Sequence, residues 1–141
     1  MNKVLIVHTS WYADYINEMI KLSCKVLSEN KFSWDISLAP GSIELPALAK
    51  HKLIKNKGDY VGILFLGIVV RGETTHYELV TTETFRSIGN LAMDYPQISV
   101  INNVICVENE NQLKERLFNT ENNTKSLIKL IHENQSKYMQ Y

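Results

Sequence analysis

The sequence predicts a three-layer α/β/α fold built around a four-stranded parallel sheet. Short apolar segments alternate along the chain with amphipathic segments of helical period, a pattern typical of parallel sheets flanked by helices. The first apolar segment, residues 4–7, is a continuous run, as in strands that are covered on both faces. With 141 residues, 45% of them hydrophobic, the chain can form the core of one domain spanning residues 1–141.

Apolar runs and turn signals define the order of the predicted elements. Pro46 is tolerated in the first turn of a helix, and Pro96 ends another. The predicted strands are 3–8, 34–38, 60–66 and 98–106, and the predicted helices are 14–30, 44–56, 77–95, 110–118 and 125–134, with a polar turn at 119–123. Because crossovers between parallel strands are right-handed, we expect a flavodoxin-like strand order, 2-1-3-4.

Helical spacing also predicts which side chains face the core. Asp14 is the expected N-cap of the first helix. The expected inward-facing residues are Ile16, Ile20, Cys24 and Leu27 in the first helix and Phe85, Ile88, Ala92 and Tyr95 in the third.

Charge and composition exclude several classes of function. Lys+Arg and Asp+Glu are 15 each, so no charged surface for nucleic acid or membranes is expected. The apolar runs are too short for a signal peptide or a membrane span. Cys24 and Cys106 are far apart, and no Cys/His cluster has metal-ligand spacing. We therefore expect a cytoplasmic protein with reduced thiols and no metal.

The chemically distinctive residues follow the predicted strands. They are Trp11 after the first, residues 40–44 after the second, 67–76 after the third, and 102–103 with 108–109 after the fourth. Ligands of open parallel sheets bind outside the carboxyl ends of the strands. The sequence therefore predicts a binding site at this edge of the sheet.

The stretch 67–76 is a strand-to-helix crossing with features of an anion site. Gly72 permits a close approach of the backbone to a ligand. Thr75 and Glu78 have capping-box spacing, which predicts a helix start at about Thr75 with N–H groups free for a phosphate or carboxylate. His76, in the first turn, is a candidate for proton transfer. The alternative is a capped loop with an exposed histidine.

Other candidates in these loops each have a structural alternative. Trp11 could stack on a heterocycle or be an ordinary core or interface tryptophan. Glu44 could accept hydrogen bonds from ligand hydroxyls or simply favour a helix start. Arg116 could hold a phosphate or be a solvated helix charge, and Arg71 could touch substrate or make an ion pair. The first loop has no glycine, which argues against a nucleotide or flavin-phosphate loop, and no G-x-S-x-G elbow is present.

The chain contains the segments 40–46 (PGSIELP), 67–77 (GIVVRGETTHY) and 107–112 (VENENQ) with Arg116. They resemble, in the same order, the three signature regions of the 6,7-dimethyl-8-ribityllumazine synthase family, and the resemblance extends over nearly the whole chain. The resemblance implies condensation of 5-amino-6-(D-ribitylamino)uracil with 3,4-dihydroxy-2-butanone 4-phosphate, releasing phosphate and water. It implies no metal or organic cofactor.

The resemblance also implies a role for each matching residue. His76 is the implied proton-transfer residue, and Arg116 the implied ligand of the phosphate. Glu73 and Thr74 match the pair at the butanone-phosphate site. The implied pyrimidine and ribityl contacts are Trp11 by stacking, Ser42, Ile43 and Glu44, the backbone of Ile68, Val69 and Val70, and Asn102 at a position that is often Phe.

Assembly is expected to follow the family only in part. The resemblance implies a homopentamer with sites between subunits, and pairs of rings or icosahedral shells as higher assemblies. This chain begins almost at the first core strand, whereas the family usually has a further N-terminal strand that pairs with a neighbouring subunit. A binding protein that carries a lumazine or flavin without turnover, and a scaffold module without a ligand, are the alternatives.

Overall fold

The computed structural model describes residues 2–73 and 75–136, except for the side chain of Glu73. The described elements are β1 (Lys3–His8), α1 (Ala13–Glu29), β2 (Ser33–Leu38), α2 (Leu45–Lys55), β3 (Gly62–Val70), a 3-10 turn (Arg71–Glu73), α3 (Tyr77–Asp94), β4 (Ser99–Val107), α4 (Glu110–Arg116) and α5 (Asn119–Gln135). None of these helices is both long and apolar enough to cross a membrane.

The four strands form one parallel sheet in the order β2-β1-β3-β4. Val4 pairs with Trp34 on one side and with Gly62 on the other, and Gly62 pairs in turn with Ser99. Helices cover both faces, so the predicted three-layer fold and strand order are confirmed. The carboxyl ends of all four strands consequently lie along one edge of the sheet.

Alternate residues of the central strands face two separate cores. Val4, Ile6 and Leu64 pack on one face against α1, α4 and α5. Leu5 and Phe65 pack on the other face against α2 and α3. All nine residues of β3 are buried, because this strand is covered on both faces. This burial on both faces explains the continuous apolar runs in the sequence.

Two predicted boundaries were wrong, and both errors concern long-range packing. β3 continues to Val70, four residues beyond the predicted end at Leu66. The predicted polar turn at 119–123 is instead the start of α5, where Thr120 is fully buried. A run of Asn and Thr predicts a turn locally, but Asn103 of β4 donates a hydrogen bond to Thr120 Oγ1 at 2.8 Å and favours the helix.

Two side-chain predictions also failed. Asp14 is not the N-cap of α1; that position is Tyr12, and Asp14 lies in the first turn. Phe85 is 47% exposed, whereas Ile88 is buried together with Thr84 and Leu91. The inward face of α3 is thus rotated by about one residue from the predicted face.

Candidate functional site

A cleft of about 820 Å³ opens at the carboxyl edge of the sheet. Segments that follow all four strands form its walls, as the sequence predicted. Its lining residues are Trp11, Tyr12, Gly41, Ser42, Ile43, Glu44, Ile68, Val69, Val70, Thr75, Val80 and Glu110. Seven of the predicted site residues therefore meet in one place: Trp11, Ser42, Ile43, Glu44, Ile68, Val69 and Val70.

The turn before α1 presents two aromatic rings to the cleft. Tyr12 has a left-handed backbone, with φ 59° and ψ 53°, which costs a non-glycine residue about 1–3 kcal/mol. Its carbonyl accepts hydrogen bonds from the amides of Tyr15 and Ile16 at 2.9 and 3.0 Å. Trp11, one residue earlier, is 67% exposed. An exposed indole at the wall of a cleft is suited to stacking on a flat heterocycle.

In the turn before α2, the Glu44 side chain folds back over Gly41. A Cβ at Gly41 would lie 2.8 Å from Glu44 Oε1. The amides of Glu44 and Leu45 donate to the carbonyls of Gly41 and Ser42, both at 3.2 Å. Glu44 is the N-cap of α2, with proline in the first turn, as predicted. The turn thus holds the Ser42 and Glu44 side chains beside the cleft.

The end of β3 offers backbone groups to the cleft. The last residue of β3 that pairs with β1 is Leu66, opposite His8. On its other side β3 stays paired with β4 as far as Val70, opposite Val107. Between Gly67 and Val70, the backbone groups directed to the β1 side are therefore outside the ladder. Such a strand edge can hydrogen-bond the edge of a planar ligand.

The crossing from β3 to α3 differs from the predicted capping box. α3 begins at Tyr77 with His76 as N-cap, and Glu78 makes an ion pair with Arg71 in place of a bond to Thr75. Thr75 lines the cleft, and His76, the next residue, is exposed but does not line it. Thr74 and the side chain of Glu73 lie outside the described residues.

Asn102 and Arg116 are not brought to the cleft of their own chain. Asn102 lies in the middle of β4, opposite Phe65, and its Oδ1 accepts a hydrogen bond from the amide of Val104 at 3.0 Å. The prediction that Asn102 and Asn103 lie beyond the end of this strand is therefore wrong. Arg116 ends α4, exposed, with an η nitrogen 3.5 Å from the carbonyl oxygen of Cys106.

The cleft also contains residues that the sequence analysis missed. Tyr12 and Glu110 both line it, and Glu110 accepts a hydrogen bond of 2.7 Å from the hydroxyl of Tyr15. This bond is the main cause of the raised pKa of Tyr15. The adjacency of Tyr12 to Trp11 was a usable signal. Glu110, by contrast, is 95 residues from Tyr15, and only the fold brings them together.

The charges of the cleft favour one kind of ligand. Glu44 and Glu110 are its two charged lining residues, and among the described residues no lysine or arginine lines it. Carboxylates accept hydrogen bonds from hydroxyl and N–H groups but repel a phosphate. No three His, Cys, Asp or Glu side chains within 2–73 and 75–136 are placed to hold a metal ion. One chain alone therefore offers a site for a neutral polar heterocycle.

Nucleophilic catalysis by Cys106 has little support at this edge of the sheet. Burial raises the pKa of the Cys106 thiol to about 11, so the nucleophilic thiolate is scarce at neutral pH.

Comparison with known proteins agrees with the resemblance seen in the signature segments. The profile of the 6,7-dimethyl-8-ribityllumazine synthase family matches residues 1–134. The 6,7-dimethyl-8-ribityllumazine synthase of Novosphingobium aromaticivorans is 36% identical over 113 residues, covering 79% of this chain and 78% of that protein. The corresponding protein of Bartonella tribocorum is 34% identical over 113 residues, covering 80% and 74%. The 6,7-dimethyl-8-ribityllumazine synthase 1 of Rhizobium meliloti is 31% identical over 121 residues, covering 84% and 78%. Because the family's profile matches 1–134 of the 141 residues, this chain belongs to the 6,7-dimethyl-8-ribityllumazine synthase family.

Proposed function

We propose that this protein is a transferase of riboflavin biosynthesis that makes 6,7-dimethyl-8-ribityllumazine. It condenses 5-amino-6-(D-ribitylamino)uracil with 3,4-dihydroxy-2-butanone 4-phosphate and releases phosphate and water. The observation that carries this proposal is the convergence of Trp11, Ser42–Glu44 and Ile68–Val70 on one cleft. These three segments are distant in sequence, and each was expected to contact the pyrimidine substrate.

The cleft suits the ribitylaminouracil in shape and charge. Trp11 stacks on the pyrimidine ring, and the unpaired strand edge at 67–70 forms hydrogen bonds with the uracil N–H and C=O groups. Ser42 and Glu44 bind the ribityl hydroxyls. Two carboxylates at the walls favour this neutral, donor-rich substrate over the phosphorylated ketone.

The second substrate needs a cation, and none of the described residues that line the cleft of one chain is a lysine or an arginine. Arg116 is the residue proposed for the phosphate, and it lies outside its own chain's cleft. We therefore place the site between subunits of a homopentamer, with His76 from one subunit and Arg116 from the next around the ring. Asn102, in the middle of the edge strand β4, likewise serves the neighbouring pocket.

Positioning and proton transfer account for the chemistry. The substrate amine attacks the ketone and forms an imine with loss of water. A proton then leaves the adjacent carbon as phosphate departs, and the enol so formed becomes a ketone. The ribitylamino nitrogen attacks this ketone and closes the ring with loss of a second water. Holding two substrates together supplies much of the rate, and neutralising the phosphate supplies more. His76 is the proposed general acid and base, a role typically worth about 10²–10⁴-fold in rate.

The direct test is incubation with both substrates while lumazine absorbance and free phosphate are recorded together. We expect both signals to rise in equal molar amounts. A carrier of lumazines or flavins would bind such compounds but release no phosphate, and a scaffold module would do neither. Either of these two results would overturn the proposed function.

The shared site has its own test, which uses an inactivating His76 variant and an inactivating Arg116 variant. The two are unfolded together and refolded, and activity is compared with that of each variant refolded alone. In random mixed rings about a quarter of the interfaces join an intact His76 to an intact Arg116. Recovery toward that fraction is expected. Mixed rings without recovered activity would place the site within one chain.

A further inference from the structure

Arg71 is the centre of a charged cluster at the rim of the cleft. Its Nε lies 2.8 and 2.9 Å from the two carboxylate oxygens of Glu108. One η nitrogen makes an ion pair with Glu78, and the guanidinium carbon lies 4.2 Å from the centre of the Tyr77 ring. The guanidinium is thus held in its plane by two carboxylates and on one face by an aromatic ring.

The partners of Arg71 belong to two different segments. Tyr77 and Glu78 are the first residues of α3 and directly follow His76. Glu108 directly follows β4, and it leads into α4, the helix that ends at Arg116. Arg71 itself directly follows β3 and begins the 3-10 turn. One side chain therefore connects the segment that carries His76 with the segment that carries Arg116.

The α4 side of this connection is itself well ordered by hydrogen bonds. The amide of Glu108 donates to Gln112 Oε1 at 2.7 Å. The amide of Gln112 donates to the Asn109 side chain at 2.9 Å, which caps the N-terminus of α4. A displacement of Glu108 is therefore passed to the whole helix, since its first turn is tied to the residue that Arg71 holds.

We propose that Arg71 is a positioning residue that holds the His76 turn of one site and the Arg116 helix of the neighbouring site, and that it does not bind the phosphate itself. This rests on the proposed function. The one positive charge is matched by two carboxylates, so the cluster attracts no anion. Both ion pairs are largely exposed, with side-chain exposures of 44%, 71% and 54% for Arg71, Glu78 and Glu108. Exposed pairs add little to stability, so the role is expected in kinetics rather than in folding.

The two carboxylates allow the two halves of the connection to be separated. Glu78→Gln weakens only the tie to α3, so it should lower kcat and alter its pH profile, because His76 loses its fixed orientation. Glu108→Gln weakens only the tie to α4, so it should raise KM for the phosphorylated ketone with a smaller change in kcat. Arg71→Gln should do both, lowering kcat/KM by about tenfold to a hundredfold, as small misplacements of catalytic groups do.

Matched variants distinguish this role from a general one. Arg86→Gln removes another exposed ion pair of α3, that between Arg86 and Glu83 at 2.6 Å, and should leave kinetics unchanged. Arg71→Lys keeps the charge but not the planar fork, so it should restore only part of the activity. Melting temperatures of the Arg71 and Arg86 variants should be alike.

The measurements are steady-state kinetics with each substrate varied, over a range of pH, for these five variants and the wild type. Separate effects of Glu78→Gln and Glu108→Gln on kcat and KM support the proposal. Unchanged kinetics in Arg71→Gln would overturn it, and so would an equal loss in all parameters that accompanies a lower melting temperature. Wild-type turnover is measured in the same series. Its absence would contradict the proposed function, whereas the role of Arg71 is tested by the differences between the variants and an active wild type.

Discussion

The two ends of the sheet carry similar charged clusters with different surroundings. Towards the amino end, Lys3 makes an ion pair with Asp35 at 3.0 Å and lies 5.9 Å from the centre of the Tyr60 ring. The Tyr60 hydroxyl also donates to Asp35 at 2.6 Å. At the carboxyl end, Arg71 pairs with two glutamates over the ring of Tyr77. Each cluster thus combines a cation, carboxylate and tyrosine ring.

What differs is the backbone that each cluster connects. Lys3 and Asp35 lie in the adjacent strands β1 and β2, and Tyr60 lies just before β3, so this cluster joins segments that the sheet already holds together. The partners of Arg71 lie where the chain leaves the sheet. A cavity of about 360 Å³ borders Tyr60 at the amino end, against about 820 Å³ for the carboxyl-edge cleft. Similar interactions therefore join paired strands at the amino end of the sheet and hold the segments around the cleft at the carboxyl end.

If the carboxyl edge alone carries the chemistry, His76→Ala should have the largest effect. We expect kcat to fall by about 10²-fold or more while activity stays measurable, because positioning of the substrates is retained. His51→Ala, an exposed histidine of α2, is the control and should keep the wild-type rate. A His76→Ala enzyme with the wild-type rate from pH 6 to 8 would remove His76 from the mechanism.

Arg116→Ala should have the next largest effect, and on one substrate. Loss of a charge-assisted contact to phosphate, worth about 1.5–3 kcal/mol, should raise KM for the phosphorylated ketone by about 10–100-fold. KM for the pyrimidine should change much less. The control is Lys129→Ala, an exposed cation of α5. Equal changes in both KM values would point to damaged folding or assembly instead.

The two tryptophans report on the two regions separately. Trp11 is at the cleft, whereas Trp34 is half-buried in β2, paired with Val4. A bound lumazine should quench tryptophan fluorescence, and Trp11→Ala should remove most of the quench and about 1–3 kcal/mol of stacking energy. Trp34→Phe should preserve it. Quenching that survives in Trp11→Ala would place the ligand elsewhere.

The smallest effect is expected at the amino end, on stability alone. Hydrogen bonding by Tyr60 and the ion pair with Lys3 lower the pKa of Asp35 below its ordinary value of 3.8. A carboxylate with a lowered folded pKa stabilises the fold above the unfolded pKa, and this contribution is lost as pH falls through the folded value. Asp35→Asn should therefore cost up to about 1 kcal/mol near neutral pH, since the pair is partly exposed.

This difference should shrink below about pH 4. Urea unfolding of both proteins between pH 2 and pH 7 measures it, with turnover at pH 7 unchanged. A constant difference across that range would show that the lost hydrogen bonds, rather than the charge of Asp35, account for the change. Lower turnover in Asp35→Asn would contradict the separation of the two regions.

Local patterns were sufficient for much of the fold. The continuous apolar runs around Val4–Val7 and Ile63–Leu66 predicted buried parallel strands, because side chains on both faces of such strands are removed from water. Pro46 and Pro96 marked the start of one helix and the end of another from local backbone restrictions alone. Right-handed crossovers then restricted the strand order, which placed the loop residues at one edge before any contact was known.

The sequence by itself therefore determined the layers, the strand order and the edge that carries the cleft. The layers follow from the spacing of apolar residues along the chain, and the strand order and the edge follow from the handedness of the crossovers. Only the tertiary structure decided the partners. Glu78 pairs with Arg71 rather than with Thr75, Thr120 lies in the first turn of a helix where a polar turn was predicted, and Glu110 reaches the cleft from the far end of the chain. The physical reason is that a polar side chain bonds to whichever group the fold brings near it, and a distant partner outweighs a weak local preference.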